Sequence, residues 1–228
     1  MTPYFETENG KLYCADCLEI MPRLEPVDLV LTDPPYGCNF NFTKKRNRTS
    51  VLSRGYGPYK TKDRAWKNII GDDQEFNPSH LLPYPEVIIW GANYFSHRLP
   101  VSKGWMIWDK KAHTSSDNHG DCELAWTNLS IPIRRFVHLW RGVIRAGEEN
   151  PKNGGKLHPA QKPIALIQWC LSFSKTKGIV LDSYLGSGTT AVACERINRR
   201  WIGIEISEEY CEIAKQRIIN ETRQLKLF

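Results

Sequence analysis

Residues 178–191 read Gly178-Ile-Val-Leu-Asp182-Ser-Tyr-Leu-Gly186-Ser-Gly188-Thr-Thr-Ala191, a short apolar run that leads into a glycine-rich turn. The run predicts a buried strand, and the pattern after the turn predicts a helix that begins near Thr189. Gly186 and Gly188 permit a tight turn and a close approach of ligand to backbone, and the free N–H groups of the helix would face that ligand. The segment therefore predicts a ligand site at a strand-to-helix turn.

A second predicted strand, Trp201-Ile-Gly-Ile-Glu205, follows this turn and ends in a carboxylate. Doubly wound α/β folds place an acid about 20 residues after the glycines, where it binds ribose hydroxyls. Taken alone, the glycine loop and Glu205 are equally compatible with a nicotinamide or flavin enzyme.

The position of the loop in the chain is unusual, because a nucleotide-binding loop normally opens its domain and this one lies in the last fifth. Upstream strands must therefore complete the sheet. Short runs rich in β-branched or aromatic residues predict these strands at 27–32, 86–90, 105–108 and 135–140. The expected fold is a permuted α/β sheet.

The tetrapeptide Asp33-Pro34-Pro35-Tyr36 directly follows the predicted strand 27–32. Two prolines lack backbone donors and end the strand, so Asp33 is exposed at its carboxyl end, where open α/β sheets bind ligands. A carboxylate, a rigid turn and an aromatic ring together suit the binding of a planar amino group. Asp33 and Gly186 are expected to face one crevice.

Further motifs accompany these in a fixed order along most of the chain. They are Leu12-Tyr-Cys-Ala-Asp16-Cys-Leu18 and Asp33 to Tyr36, then Trp90-Gly-Ala-Asn-Tyr-Phe95 and Trp105 to Lys110, and finally His158-Pro-Ala-Gln-Lys162-Pro163, Asp182 to Thr190 and Glu205. The set resembles the β-group amino-methyltransferases of DNA, which transfer the methyl group of S-adenosylmethionine to an exocyclic base nitrogen. One departure is Asp182-Ser183-Tyr184, where the family usually reads Asp-Pro-Phe.

The resemblance implies a single-domain, circularly permuted Rossmann-like fold of the S-adenosylmethionine-dependent methyltransferases, with a mostly parallel sheet over residues 1–228. It implies that Asp16 faces the cofactor's adenine, that the turn at 158–163 precedes a helix beside the cofactor, and that Glu205 binds the ribose. Pro163 is equally explained as a helix start signal. The expected cofactor-binding residues are Asp16, His158, Lys162, Pro163, Asp182, Leu185, Gly186, Ser187, Gly188, Thr189, Thr190 and Glu205.

The chemistry of amino methylation accounts for the catalytic residues expected here, Asp33, Pro34, Pro35 and Tyr36. The lone pair of an exocyclic nitrogen is delocalised into the base, so acceptors at Asp33 and the Pro34 carbonyl would hold the amino protons and stabilise developing positive charge. Tyr36 would stack on a base flipped out of the duplex.

In the family, Asp at the first motif position is more typical of N6-adenine enzymes than of N4-cytosine enzymes. N6-adenine methylation of DNA is therefore the expected activity, and N4-cytosine methylation is the alternative. From other classes, a nicotinamide-dependent oxidoreductase and an inactive DNA-binding protein remain open. A role in restriction-modification is one expected context.

Seven cysteines are present, and none follows a proline. This argues against carbon-5 cytosine methylation, which needs a thiolate in a Pro-Cys context. Cys14 and Cys17 form a lone Cys-x-x-Cys without a second pair at zinc spacing, so no metal is predicted. Scattered cysteines and the lack of a long apolar run predict a cytoplasmic protein without a membrane segment.

The net charge is +6 and the sequence pI is about 8.9. Basic residues concentrate between 38 and 67, directly after the tetrapeptide, together with aromatic residues and glycines, which predicts a DNA-contacting loop. The expected DNA contacts are Lys44, Lys45, Arg46, Arg48, Arg54, Lys60 and Lys62. A short target-recognition segment is possible at 142–157. DNA is the expected partner, and a homodimer is possible by resemblance.

Overall fold

A computed structural model describes residues 1–40, 68–112, 120–141, 144–146 and 157–225 of the chain. The strands in these ranges are β1 (Phe5–Glu6), β2 (Gly10–Cys14), β3 (Leu29–Thr32), β4 (Glu86–Trp90), β5 (Gly104–Asp109), β6 (Cys122–Thr127), β7 (Arg134–Val137), β8 (Trp140–Arg141), β9 (Ile144–Arg145), β10 (Val180–Asp182) and β11 (Trp201–Glu205). The α-helices are α1 (Cys17–Ile20), α2 (Ile164–Leu171), α3 (Thr189–Arg196) and α4 (Glu208–Leu225).

Nine of these strands form one sheet in the order β1-β2-β11-β10-β3-β4-β6-β5-β7. The central pairs β2–β11, β11–β10, β10–β3 and β3–β4 are parallel, whereas β6 is antiparallel to both β4 and β5. The carboxyl ends of β3 and β10 therefore lie side by side, although the two strands are far apart in sequence. This confirms the expected α/β class with a mostly parallel sheet.

The centre of the sheet is covered on both faces, as its composition requires. All five residues of β4 are buried, and the four after Glu86 form the continuous apolar run of a parallel strand with both faces packed. One core cluster packs α2, α3 and α4 on one face, and a second lies on the other face around Val30, Ile89 and Phe95. Helix α4 contributes the fully buried Cys211, Ala214 and Ile218 from one side of the helix.

Two expectations about the strands were wrong. The predicted strand 135–140 ends at Val137, and Trp140 instead pairs with Arg145 in a separate two-stranded ribbon. Strand β6 was not predicted at all, yet it lies between β4 and β5 in the sheet. Its apolar pattern is interrupted by Glu123 and Thr127, so periodicity alone does not identify it.

The described residues contain no helix that is both long and apolar enough to cross a bilayer.

Candidate active site

The predicted catalytic tetrapeptide begins directly after β3, at the carboxyl edge of the sheet. The Thr32 hydroxyl donates a hydrogen bond to Asp182 Oδ1 at 2.7 Å and thereby joins the ends of β3 and β10. The structure thus brings the two sequence motifs to adjacent strands, although Thr32 and Asp182 are 150 residues apart in the sequence.

The Asp33 carboxylate accepts from two groups at once. The Tyr36 hydroxyl donates to Oδ1, and the Lys162 ammonium donates to Oδ2 at 2.5 Å. Lys162 Nζ also lies 3.2 Å from the Tyr36 oxygen. Lys162 was expected beside the cofactor, and in the structure its ammonium lies on the predicted catalytic carboxylate.

Two further charged residues, Glu123 and Lys110, extend this group, and sequence reasoning gave neither a role. Glu123 Oε2 lies 3.1 Å from Lys162 Nζ, and its other oxygen accepts from Lys110 Nζ at 3.0 Å. The sequence did contain one signal, because Glu123 is an acid directly before the apolar residues Leu124-Ala125-Trp126. Partial burial makes that acid depend on a cationic partner.

Burial and charge set the protonation of this group. Burial disfavours the Lys162 ammonium, but the carboxylates of Asp33 and Glu123 outweigh it and raise the Lys162 pKa well above its ordinary value. Burial also raises the pKa of Asp33, opposed by Lys162. Burial alone would raise the pKa of Glu123, but the charges of Lys162 and Lys110 outweigh it and lower that pKa to about 2. Burial and Asp33 raise the Tyr36 pKa, so its hydroxyl remains a donor.

The Tyr36 ring is held between backbone and a second ring. It stacks on Tyr94 with centroids 5.0 Å apart and planes 12° apart. At Gly91, φ is +72°, and a Cβ there would overlap the Tyr36 ring. Gly91 is therefore required both for its left-handed backbone and for the space that the ring occupies. Tyr94 remains 53% exposed, so the stack is open to solvent.

Asp72 organises the turn that follows Tyr36. Its Oδ1 accepts from three successive backbone N–H groups, those of Tyr36, Gly37 and Cys38, at 3.1–3.2 Å. Its Oδ2 accepts from Phe40 N at 2.9 Å, and its carbonyl accepts from Asn39 N. A buried carboxylate with this many donors fixes the backbone on which the Tyr36 ring is mounted. We call this arrangement the Asp72 clasp.

The glycine-rich turn is fastened to the end of β11. Glu205 Oε2 accepts from Gly186 N at 2.8 Å, and Oε1 accepts from Ser207 N at 2.9 Å. Gly186 and Gly188 have φ of +54° and +83°, so both use the left-handed region that favours glycine. Burial raises the Glu205 pKa, opposed by these backbone donors.

Arg217 of α4 also supports the turn, and no sequence motif pointed to it. One guanidinium nitrogen lies 2.6 Å from the Ser187 carbonyl, 3.0 Å from the Ser187 hydroxyl and 3.2 Å from the Thr189 hydroxyl. Arg217 therefore joins the turn and the first residue of α3 to helix α4.

Asp182 is saturated by its neighbours in the fold. Besides the bond from Thr32, it accepts from the Thr190 hydroxyl at 2.6 Å and from Tyr184 N at 3.2 Å. It therefore connects β3, β10 and the first turn of α3. Tyr184, which replaces the usual phenylalanine, directs its hydroxyl to His80 Nε2 at 3.1 Å.

Asp182 also makes stability depend on pH. Burial raises its pKa to about 6 from an ordinary 3.8, against the hydrogen bonds from Thr190 and Thr32. The folded carboxyl binds its proton more tightly than the unfolded one, so its contribution to stability is complete below its ordinary pKa of 3.8 and is lost as the pH rises through about 6.

We expect Asp182→Asn to remove this pH dependence. The free energy of unfolding of the variant, relative to the native protein, should rise by about 2 kcal/mol between about pH 4 and pH 7. Urea unfolding of both proteins at the two pH values measures this difference. A difference that does not change with pH would contradict the assignment.

The remaining cofactor-side predictions lie around the same turn. His158 packs against Tyr210 with centroids 4.4 Å apart, and a Cβ at Gly186 would lie 3.6 Å from its Nε2. Pro163 is the N-cap residue of α2. Asp16 follows β2, next to the end of β11, and its side chain caps α1 by accepting from Leu18 N at 2.8 Å.

Comparison with known proteins agrees with this geometry. A profile described as DNA methylase matches residues 107–216. The Type II methyltransferase M.HpaI of Haemophilus parainfluenzae is 28% identical over 93% of this chain and 75% of its own length. These matches support a DNA amino-methyltransferase. Two solved structures share the fold of this chain.

The first of these is the M1.HpyAVI-SAM complex, with a TM-score of 0.52, 24% identity, and coverage of 91% of this chain and 99% of that one. The second is the PvuII DNA methyltransferase, described as cytosine-N4-specific, with a TM-score of 0.60, 17% identity, and coverage of 98% and 94%. These likenesses establish the permuted Rossmann-like fold of the S-adenosylmethionine-dependent methyltransferases.

Two predicted regions of this chain lie outside the described residues. The predicted DNA contacts Lys44, Lys45, Arg46, Arg48, Arg54, Lys60 and Lys62 all fall in the undescribed stretch 41–67. Of the possible recognition segment 142–157, only residues 144–146 and Leu157 are described.

Proposed function

We propose that this methyltransferase transfers a methyl group from S-adenosylmethionine to the exocyclic N6 of adenine in DNA. The observation that carries the proposal is the meeting of Asp33 and the glycine-rich turn at adjacent strand ends, joined by the Thr32–Asp182 bond. The proposed acceptor for the base amino group, Asp33, and the proposed cofactor site at the glycine-rich turn therefore lie at one edge of the sheet.

The donor set at the turn fits S-adenosylmethionine, which supplies an electrophilic methyl group when bound. Each Glu205 oxygen accepts one backbone N–H and keeps a second acceptor position for a ribose hydroxyl. The first backbone N–H groups of α3 would bind the cofactor's carboxylate. Asp16, exposed beside the end of β11, would accept from the adenine amino group.

The chain's own residues would activate the target nitrogen by accepting its protons. Asp33 Oδ1 and the Pro34 carbonyl would hold the two amino hydrogens, which frees the nitrogen lone pair and stabilises the positive charge that develops on it. The nitrogen would gain the methyl group as the bond between that methyl group and the cofactor's sulfur breaks, which leaves S-adenosylhomocysteine. It would then release one proton to solvent, and no covalent enzyme intermediate would form. Tyr36 would stack on the flipped base, and the exposed Tyr94 would move off the Tyr36 ring to admit it.

The basic stretch supports DNA as the substrate, because its cations would contact phosphates close to Asp33. We expect substitution of Lys44, Lys45 and Arg46 by Gln to weaken DNA binding and to reduce the slope of log affinity against log salt by about 2 to 3. Fluorescence anisotropy of a labelled duplex over a salt series measures the slope.

A matched control removes three charges from the opposite edge of the sheet. Lys175, Lys177 and Arg200 precede β10 and β11 at their amino ends and are exposed. Their substitution by Gln should leave the salt slope unchanged. Equal slopes for the native protein and the 44–46 variant would refute the role of the basic stretch.

The proposed activity is tested by incubating the protein with S-adenosylmethionine and unmethylated DNA and analysing the nucleosides by mass spectrometry. N6-methyladenine is the expected product. Detection of N4-methylcytosine would support the same mechanism with cytosine as the target base. The absence of both products would refute the proposal. Similarity to Type II methyltransferases supports a role in restriction-modification. Homodimer formation and a cytoplasmic location stay predictions.

A further inference from the structure

Glu123 is brought to the catalytic edge by the direction of its strand. Because β6 runs antiparallel to β4, its first residues lie beside the carboxyl ends of the parallel strands. The Gly91 amide, just beyond β4, donates to the Leu124 carbonyl at 2.9 Å, which places Glu123 at the level of the turn that supports Tyr36. The core face of β6 therefore presents a carboxylate to the site.

Four charges alternate in sign across this edge, in the order Asp33, Lys162, Glu123 and Lys110. Lys162 Nζ touches both carboxylates, at 2.5 Å from Asp33 and 3.1 Å from Glu123. Its side chain is only 8% exposed, and those of Asp33 and Glu123 are 19% and 26% exposed. Lys110 holds the other oxygen of Glu123 at 3.0 Å, so Glu123 is fixed in its place.

The contact between Lys162 and Asp33 conflicts with the proposed reaction. The base nitrogen gains positive charge as the methyl group is transferred, and an ammonium on the same carboxylate would oppose that charge. At short distance and low effective dielectric this repulsion is substantial. Asp33 would therefore act best when Lys162 has another carboxylate to bind.

We propose that Glu123 is a positioning residue, which takes over the Lys162 ammonium when Asp33 binds the amino group of the target base. The inference rests on the proposed function. Lys162 already contacts both acids, so the exchange needs only a small movement of one side chain. Glu123 thereby controls the negative charge available at Asp33 without touching the base.

The test compares single-turnover methyl transfer by the native protein and by Glu123→Gln at saturating S-adenosylmethionine and DNA. Gln keeps the size of the side chain but removes the charge that competes for Lys162. The rate should fall by about 10- to 100-fold, while the dissociation constants for S-adenosylmethionine and DNA change by less than about twofold. Glu25→Gln, at a surface ion pair with Arg200, is the matched control and should keep the native rate.

A double-mutant cycle separates positioning through Lys162 from a general structural role. In a Lys162→Met background, Glu123→Gln should cause no further slowing beyond about twofold, because Glu123 no longer has that ammonium to bind. Equal slowing in both backgrounds, or a native rate in Glu123→Gln, would overturn the proposal.

Glu123→Asp provides a second variant should the Gln variant fail to fold. It keeps the charge on a shorter side chain, so it should slow transfer in the native background and not in the Lys162→Met background. Failure of the native protein to methylate DNA would refute the proposed function itself. A methylating native protein with an unaffected Glu123 variant would refute only the role of Glu123.

Discussion

Asp33→Ala is expected to reduce methyl transfer to DNA by at least about 10³-fold, because the variant loses both the acceptor for the base amino group and the charge that stabilises the reacting nitrogen. The fold should survive the change, since Lys162 keeps Glu123 as its partner at 3.1 Å. Binding of S-adenosylmethionine should also be retained, because the glycine-rich turn is fastened by Glu205 and Asp182. Single-turnover rates and calorimetric cofactor titrations measure the two quantities.

Asp73→Ala provides the matched control for this prediction. Asp73 is an exposed acid close to the same edge. Its loss should leave the methyl-transfer rate within about twofold of the native value, as for most surface substitutions. Asp33→Ala with a rate near the native one would show that the amino group is held elsewhere.

Gly91→Ala should have the second large effect. The added Cβ would overlap the Tyr36 ring and force it from its place beside Asp33. Displacement of a positioning group by about 1 Å can cost about 100-fold in rate, so we expect a loss of at least that size. DNA affinity, which depends chiefly on phosphate contacts, should change little.

Gly71→Ala isolates the backbone contribution to that effect. Gly71 has a φ of +81°, close to the +72° of Gly91, but among the described residues a Cβ there meets only Pro35 Cγ at 3.6 Å. Both variants should lose roughly 1–2 kcal/mol of stability from left-handed strain, and only Gly91→Ala should lose activity. Equal rates in the two variants would exclude the steric explanation.

The sequence was sufficient to predict the class of fold and the two turns at the centre of the site. Both turns follow apolar runs and contain residues with special backbone properties, prolines after β3 and glycines after β10, so local chemistry identifies them. The order of the motifs then implied a permuted sheet. The adjacency of β3 and β10 in the structure agrees with that order.

Contacts between distant residues could not be predicted in the same way. Lys162 was expected beside the cofactor, and only the path of the chain into α2 places its ammonium on Asp33. Glu123 and Asp72 carry no local signature, because their roles depend on pairing with groups from other parts of the chain. Strand β6 was missed for a related reason, since a charged residue in the site interrupts its apolar pattern.

The Asp72 clasp has a consequence for how this enzyme family could diversify. Asp72 holds the backbone of Tyr36, Gly37, Cys38 and Phe40, so the position of the Tyr36 ring is set by contacts among described residues. Sequence changes between residues 41 and 67 that preserve these contacts would leave Tyr36 in place. A lineage could thus vary the predicted DNA contacts in this stretch and keep the residues that would act on the base.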